Sequence, residues 1–271
     1  MTETHSPTFE DYPSTEKENS RSTSKVALFF ALLALGLLGI VSLLWQPLPA
    51  AITDDLPFSE SVVRLLVLIQ PTILLIVAVA VGVNVAPRVG LRAPVIEAML
   101  NRQPLAPILR SRWLSASVVG VMGAVALTGF GWYQSVTVPE IVEAAGDTPL
   151  AVRLLYGGVT EEILLRWGLM SLLVWLAWRF AQGRNGPPSS LTMWGGNVTA
   201  ALIFGVGHLP AAFLVGLTGP LWIALIIGAN ALLGILYGWL YWRKGLEAAM
   251  LAHGLTHLLA VLVLGPLLNL V

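Results

Sequence analysis

The sequence contains no cysteine, which removes disulfides, thiolate metal ligands and a cysteine nucleophile from consideration. Charge is scarce as well. Fifteen Lys and Arg balance fifteen Asp and Glu, so only 11% of the chain is charged and the net charge is zero. With no basic run, nucleic acid is not an expected partner. The chain also lacks Gly-x-Ser-x-Gly, HExxH and a GxGD pair. The serine-hydrolase elbow and the zincin helix are therefore absent, and so is the aspartyl intramembrane signature. No internal repeat is present.

What remains is apolar. Hydrophobic residues make up 56% of 271 and the mean hydropathy is +0.79, the composition of an integral membrane protein. Runs at 26–45, 61–83, 113–133, 150–180, 194–216, 219–242 and 246–270 each reach the ~20 residues that cross a bilayer as helix. In lipid the backbone must satisfy its own hydrogen bonds, so these runs read as helices rather than strands. The expected fold is an all-α, polytopic transmembrane bundle of about seven spans, eight at most. Residues 1–25 form a polar tail too poor in apolar side chains to fold alone. Residues 26–148 form an amino-terminal membrane part with a basic loop, and 149–271 a second, chemistry-bearing part. The first run is longer than a signal-peptide core, which favours a retained anchor over cleavage near Ala50. The fourth run is expected to begin at the interface near Pro149 and turn into the membrane at Gly157–Gly158.

Loop charges set an orientation. Lys17, Arg21, Lys25, Arg88, Arg92, Arg102, Arg110, Arg112, Arg179, Arg184, Arg243 and Lys244 fall on one side of the seven-span arrangement. The opposite loops hold Asp54, Asp55, Glu60, Glu140, Glu143 and Asp147. The positive-inside rule then places the amino terminus in the cytoplasm and the carboxyl terminus outside.

Against this background, ionisable groups recur inside three apolar runs: Glu161, Glu162 and Arg166, then His208, then His253 and His257. A charge at the bilayer centre costs roughly 2.5–3.5 kcal/mol by the lowest scales, so such groups persist where they pair, relay protons or do chemistry. Glu162 and Arg166 stand four apart, acid first, as a helical ion pair prefers. Glu161 points to another face and has no partner in its own helix, which leaves it available for proton transfer. His208 precedes Pro210, whose missing N–H frees a helix carbonyl nearby. His253 and His257 share one helical face, a spacing suited to chelating a metal or to donating twice to an oxyanion. At about 1.5 Å of rise per residue, all three segments bring their groups near mid-membrane.

Taken in order, EExxxR at Glu161–Arg166, FxxxH at Phe204–His208 and the His253/His257 pair resemble the CPBP family. These are glutamate-dependent intramembrane proteases of the type II CAAX prenyl endopeptidase and bacteriocin-processing kind, also known for the abortive-infection (ABI) domain. The resemblance covers roughly residues 150–260. It implies that Glu161 and His208 activate a water, that His253 and the position four on stabilise an oxyanion, and that Glu162 and Arg166 support the site. It further implies hydrolysis of a peptide or membrane-protein substrate, lipid-modified or not, in contact with membrane lipid and without a required cofactor. One position departs: where the family carries Asn or a small polar residue, this chain has His257. That keeps zinc open as a cofactor, with Glu161, His208, His253 and His257 as ligands. A proton-coupled transporter using the same Glu/His chain, or a non-catalytic regulator with the same fold, are the alternative functions.

Overall fold

The computed structural model describes residues 23–48, 58–145 and 148–267. Most of the polar tail, the cleavage position near Ala50, Asp54, Asp55 and Asp147 lie outside the described residues. The described residues contain helices and no strand. Among the described residues seven helices are long and apolar enough to cross a membrane: Lys25–Trp45, Glu60–Val89, Trp113–Thr137, Leu150–Ala181, Ser190–Leu214, Pro220–Lys244 and Leu246–Leu267. They are numbered here as spans one to seven. The fold is thus a polytopic helical bundle, and many of its large exposed side chains, such as Phe30, Leu65, Ile73, Val125 and Leu232, are apolar. An outer surface of that kind suits lipid.

Span four sits at the centre. Its first half packs against spans one and seven, and its second half against span two; spans five and six pair along their lengths, as do three and seven. Small residues let these backbones approach. A side chain at Gly238 would collide with Asn197 of span five, and one at Gly234 with Ala201. Polar pins add to the packing: Thr160 Oγ1 donates to the Gly36 carbonyl of span one at 2.8 Å, and the Ser171 and Tyr241 hydroxyls meet at 2.9 Å.

Two prolines shape the helices near the centre. Pro71 offers no N–H to Val67, and span two breaks at Leu68. Pro210 does the same to Val206, and span five breaks at His208 before resuming over Leu209–Leu214. Span four differs from its expected course. It runs on from Leu150 without turning at Gly157–Gly158, and winds in wide i→i+5 turns over Arg153–Glu161 and Ile163–Met170. The glycines serve close approach instead: Gly158 faces Gly254 of span seven, and Gly157 faces His257.

The basic loop between spans two and three contains two short helices, Pro94–Leu100 and Ala106–Arg110. Glu97 accepts from the Ala93 N–H and from Arg92, which fixes the start of the first of them.

Candidate active site

Glu162 and Arg166 are fully buried, at 0% and 3% exposure, with Oε1 and Nη1 3.1 Å apart. Arg166 continues to the Gly234 carbonyl of span six at 2.9 Å and lies over the rings of Phe204 and Tyr237. Glu162 continues the other way: its Oε1 accepts from Nδ1 of His253 at 2.8 Å. One carboxylate therefore joins spans four and seven while its guanidinium partner reaches span six. A buried charge without such partners is strongly destabilising.

His253 is fixed on three sides. Nδ1 is on Glu162, one ring face stacks on Tyr237 at 4.6 Å between centroids, and His257 stacks at 5.0 Å. The Tyr237 hydroxyl donates to Thr256 Oγ1 at 2.7 Å, and Thr256 bonds the carbonyls of Ala252 and Gly120. A carboxylate only accepts, so Nδ1 of His253 carries a proton and Nε2 is the nitrogen left for other chemistry.

His208 follows the same logic with a different acceptor. At the span-five break its backbone N–H bonds Gly205 at 3.2 Å, leaving the Phe204 carbonyl to the imidazole of His208, 2.9 Å from Nδ1. A carbonyl cannot donate, so Nδ1–H is fixed and Nε2 presents a lone pair. The break anticipated from Pro210 is present, and the acceptor it supplies is Phe204 rather than Val206.

Glu161, His208, His253 and His257 line one cavity of about 320 Å³, together with Tyr156, Gly157, Asn230 and Tyr237. Glu162 and Arg166 do not line it; they stand behind its wall. Among the described residues the Glu161 carboxylate has no hydrogen-bond partner, in contrast to Glu162. His257 has a buried Nδ1 without a hydrogen-bond partner, while its Nε2 would lie 3.2 Å from a Cβ at Gly157. The absence of that Cβ keeps the space beside both imidazoles open.

A second cavity of about 620 Å³ shares Leu43, Tyr156, Glu161, Phe204 and His208 with the first. Its remaining wall is mostly apolar, drawn from Val67–Val81 of span two, Leu164–Leu172 of span four and Ile203 of span five. The Pro71 break lies on it. Glu161 thus stands where an apolar groove between spans two, four and five meets the cavity that holds the three imidazoles.

The metal alternative can be tested on donor geometry. Among the described residues no group of three or more His, Asp or Glu side chains is close enough to hold a metal ion. His253 and His208 each hold Nδ1 on an acceptor and leave Nε2 free, an arrangement that metal-bound imidazoles also adopt. The expected ligand set lines one cavity without forming a coordination cluster.

Several polar groups of the cavity escaped the sequence reading, Asn230, Tyr156 and Tyr237 among them. Asn230 donates its amide to the Ile226 carbonyl of its own helix at 2.9 Å and keeps Oδ1 toward other uses. Tyr237 and Tyr156 also line the cavity. The signal was present, since a lone Asn inside an apolar run is costly, but only ionisable residues were weighed.

Fold and site together define a polytopic membrane protein with carboxyl and imidazole side chains gathered around a cavity inside its bundle. Residues 148–259 match the family model of type II CAAX prenyl endopeptidases, Rce1-like. No curated protein and no solved structure matches the chain.

Proposed function

We propose that the protein is an intramembrane endopeptidase that hydrolyses a peptide bond with a water activated by Glu161 and His208. The observation that carries this reading is the contrast between the two neighbouring glutamates. Glu162 is committed to Arg166 and His253, whereas Glu161 has no hydrogen-bond partner among the described residues and shares a cavity with His208. In this reading His208 Nε2 accepts a hydrogen bond from the water and Glu161 removes its proton. The hydroxide adds to the scissile carbonyl carbon, and the oxyanion is held by His253 and His257. For His253 to donate from Nε2 it must be the imidazolium, with the Glu162 carboxylate as its counter-charge at Nδ1. Collapse breaks the C–N bond, and Glu161 returns its proton to the leaving amine. Carboxylate and amine products balance the water consumed.

No step is routed through a metal in this scheme. The apolar groove that meets the cavity at Glu161 suits a substrate that arrives from within the bilayer. The same reading places the amino terminus in the cytoplasm and the carboxyl terminus outside, from the distribution of Lys and Arg.

The deciding experiment compares protein termini by mass spectrometry in cells carrying the wild type and Glu161→Gln, followed by cleavage of the identified substrate by purified protein. New termini that depend on Glu161 support the proposal. Equal cleavage by the purified Glu161→Gln protein defeats it, and solute transport in liposomes without proteolysis would favour the transporter.

A further inference from the structure

The two ends of the bundle differ in charge, and the cavity is connected to only one of them. Lys25 Nζ donates to Asn84 Oδ1 at 3.2 Å, joining the start of span one to the end of span two. Arg112 donates to the Lys244 carbonyl at 2.6 Å, and the Leu246 N–H to the Arg92 carbonyl at 3.1 Å. These contacts gather Lys25, Arg92, Arg112, Arg243 and Lys244 at one end. At the other end the cationic side chains among the described residues are Arg64 and Arg153. Arg64 is bonded to Glu60 and to the Leu44 and Gln46 carbonyls, and Arg153 to the Thr148 carbonyl.

Gln46, Thr148 and Arg153, which lie at this second end, line the catalytic cavity, and Gln46 Nε2 donates to Thr148 Oγ1 at 3.3 Å across its rim. No residue of the basic end lines it. Along span four, Glu161 lies about 16 Å of helix rise from Leu150 but about 30 Å from Ala181, at 1.5 Å per residue. The longer route is filled: Ile163, Trp167, Met170 and Val174 are all at or below 1% exposure, as are Leu240 and Tyr241 of span six. The separate cavity at the basic end, of about 440 Å³, shares no lining residue with the catalytic one.

We infer that the active cavity opens on the face opposite the basic loops, which the positive-inside rule makes the extracytoplasmic face. The substrate class follows: a polypeptide whose scissile segment is presented from outside or within the bilayer, such as an exported or membrane-anchored chain, and not a soluble cytoplasmic protein. This rests on the proposal that the cavity is a peptidase site.

The natural absence of cysteine allows a direct test. Single-cysteine variants of the full chain, Gln46→Cys and Thr148→Cys at the rim, Ser111→Cys and Arg243→Cys at the basic end, are treated in intact cells with a membrane-impermeant maleimide. The expected result is labelling of both rim variants in intact cells, and of both basic-end variants only after permeabilisation. The reverse pattern overturns the inference whatever the enzyme's activity. In the same cells, a bulky maleimide on Thr148→Cys is expected to stop Glu161-dependent cleavage, while one on Ser111→Cys after permeabilisation leaves it intact; continued cleavage with Thr148→Cys fully blocked also overturns it. Rim labelling from outside without any Glu161-dependent cleavage would instead defeat the peptidase reading and leave the cavity's facing established.

Discussion

Nδ1 of His253 lies 2.8 Å from Oε1 of Glu162, the same carboxylate oxygen that meets Arg166 at 3.1 Å. A single oxygen therefore orients an imidazole of span seven and neutralises a guanidinium that reaches span six. The adjacent glutamate is left out of this arrangement, which divides the EE pair into a residue committed to partners and one that lines the cavity.

That division gives the first prediction. Glu161→Gln retains shape and removes the base, so turnover is expected to fall by about 10²–10⁴-fold, the usual contribution of general acid–base catalysis, with little change in thermal stability. Kinetics and melting of the same purified preparation check both halves.

Glu162→Ala is expected to behave in the opposite manner. It leaves Arg166 buried without its counter-charge, and breaking a buried pair in this way costs about 3–5 kcal/mol. A marked fall in melting temperature should accompany loss of activity, because His253 also loses its Nδ1 acceptor. A variant that melts like the wild type would show that the pair does not hold the bundle.

His257 separates the water-only scheme from metal chemistry. His257→Asn restores the small polar donor that the resemblance leads one to expect, and should keep most of the activity. His257→Ala should lose about 10²–10³-fold, the usual cost of one oxyanion donor. Chelators should leave the wild type active. Equal inactivation by Asn and Ala, together with chelator sensitivity rescued by zinc, would instead make His257 a ligand.

Gly157→Ala tests the space beside the imidazoles. The added methyl would stand 3.2 Å from Nε2 of His257. Alanine favours helix over glycine by about 0.5–1 kcal/mol, so melting should not fall while activity drops. Unchanged activity would show that substrate does not use that space.

Much of this centre was legible in the sequence because membranes penalise ionisable groups so heavily. The placement of Glu161, Glu162, Arg166, His208, His253 and His257 on three spans, the i,i+4 pairing and the break before Pro210 all follow from local spacing. What spacing does not carry is the identity of partners on other helices. The contact from Glu162 to His253 spans 91 residues, and that from Arg166 to the Gly234 carbonyl spans 68. Gly234 lets span six approach Ala201 of span five, and it also supplies the acceptor for the buried guanidinium. The course of span four was misread for a related reason. Gly157–Gly158 has the composition of a turn, and only the neighbouring span seven shows that the glycines make room instead.

The crowding of charge into span four bears on how the protein reaches the bilayer. Carrying Glu161, Glu162 and Arg166, it has the lowest hydropathy of the seven spans. Its acid–base pair is internal, but the acceptor at Gly234 and the imidazole of His253 belong to spans synthesised later. During biogenesis this helix must therefore wait, partly unsatisfied, until spans six and seven arrive. Insertion of the fourth segment, more than that of any other, is tied to completion of the chain.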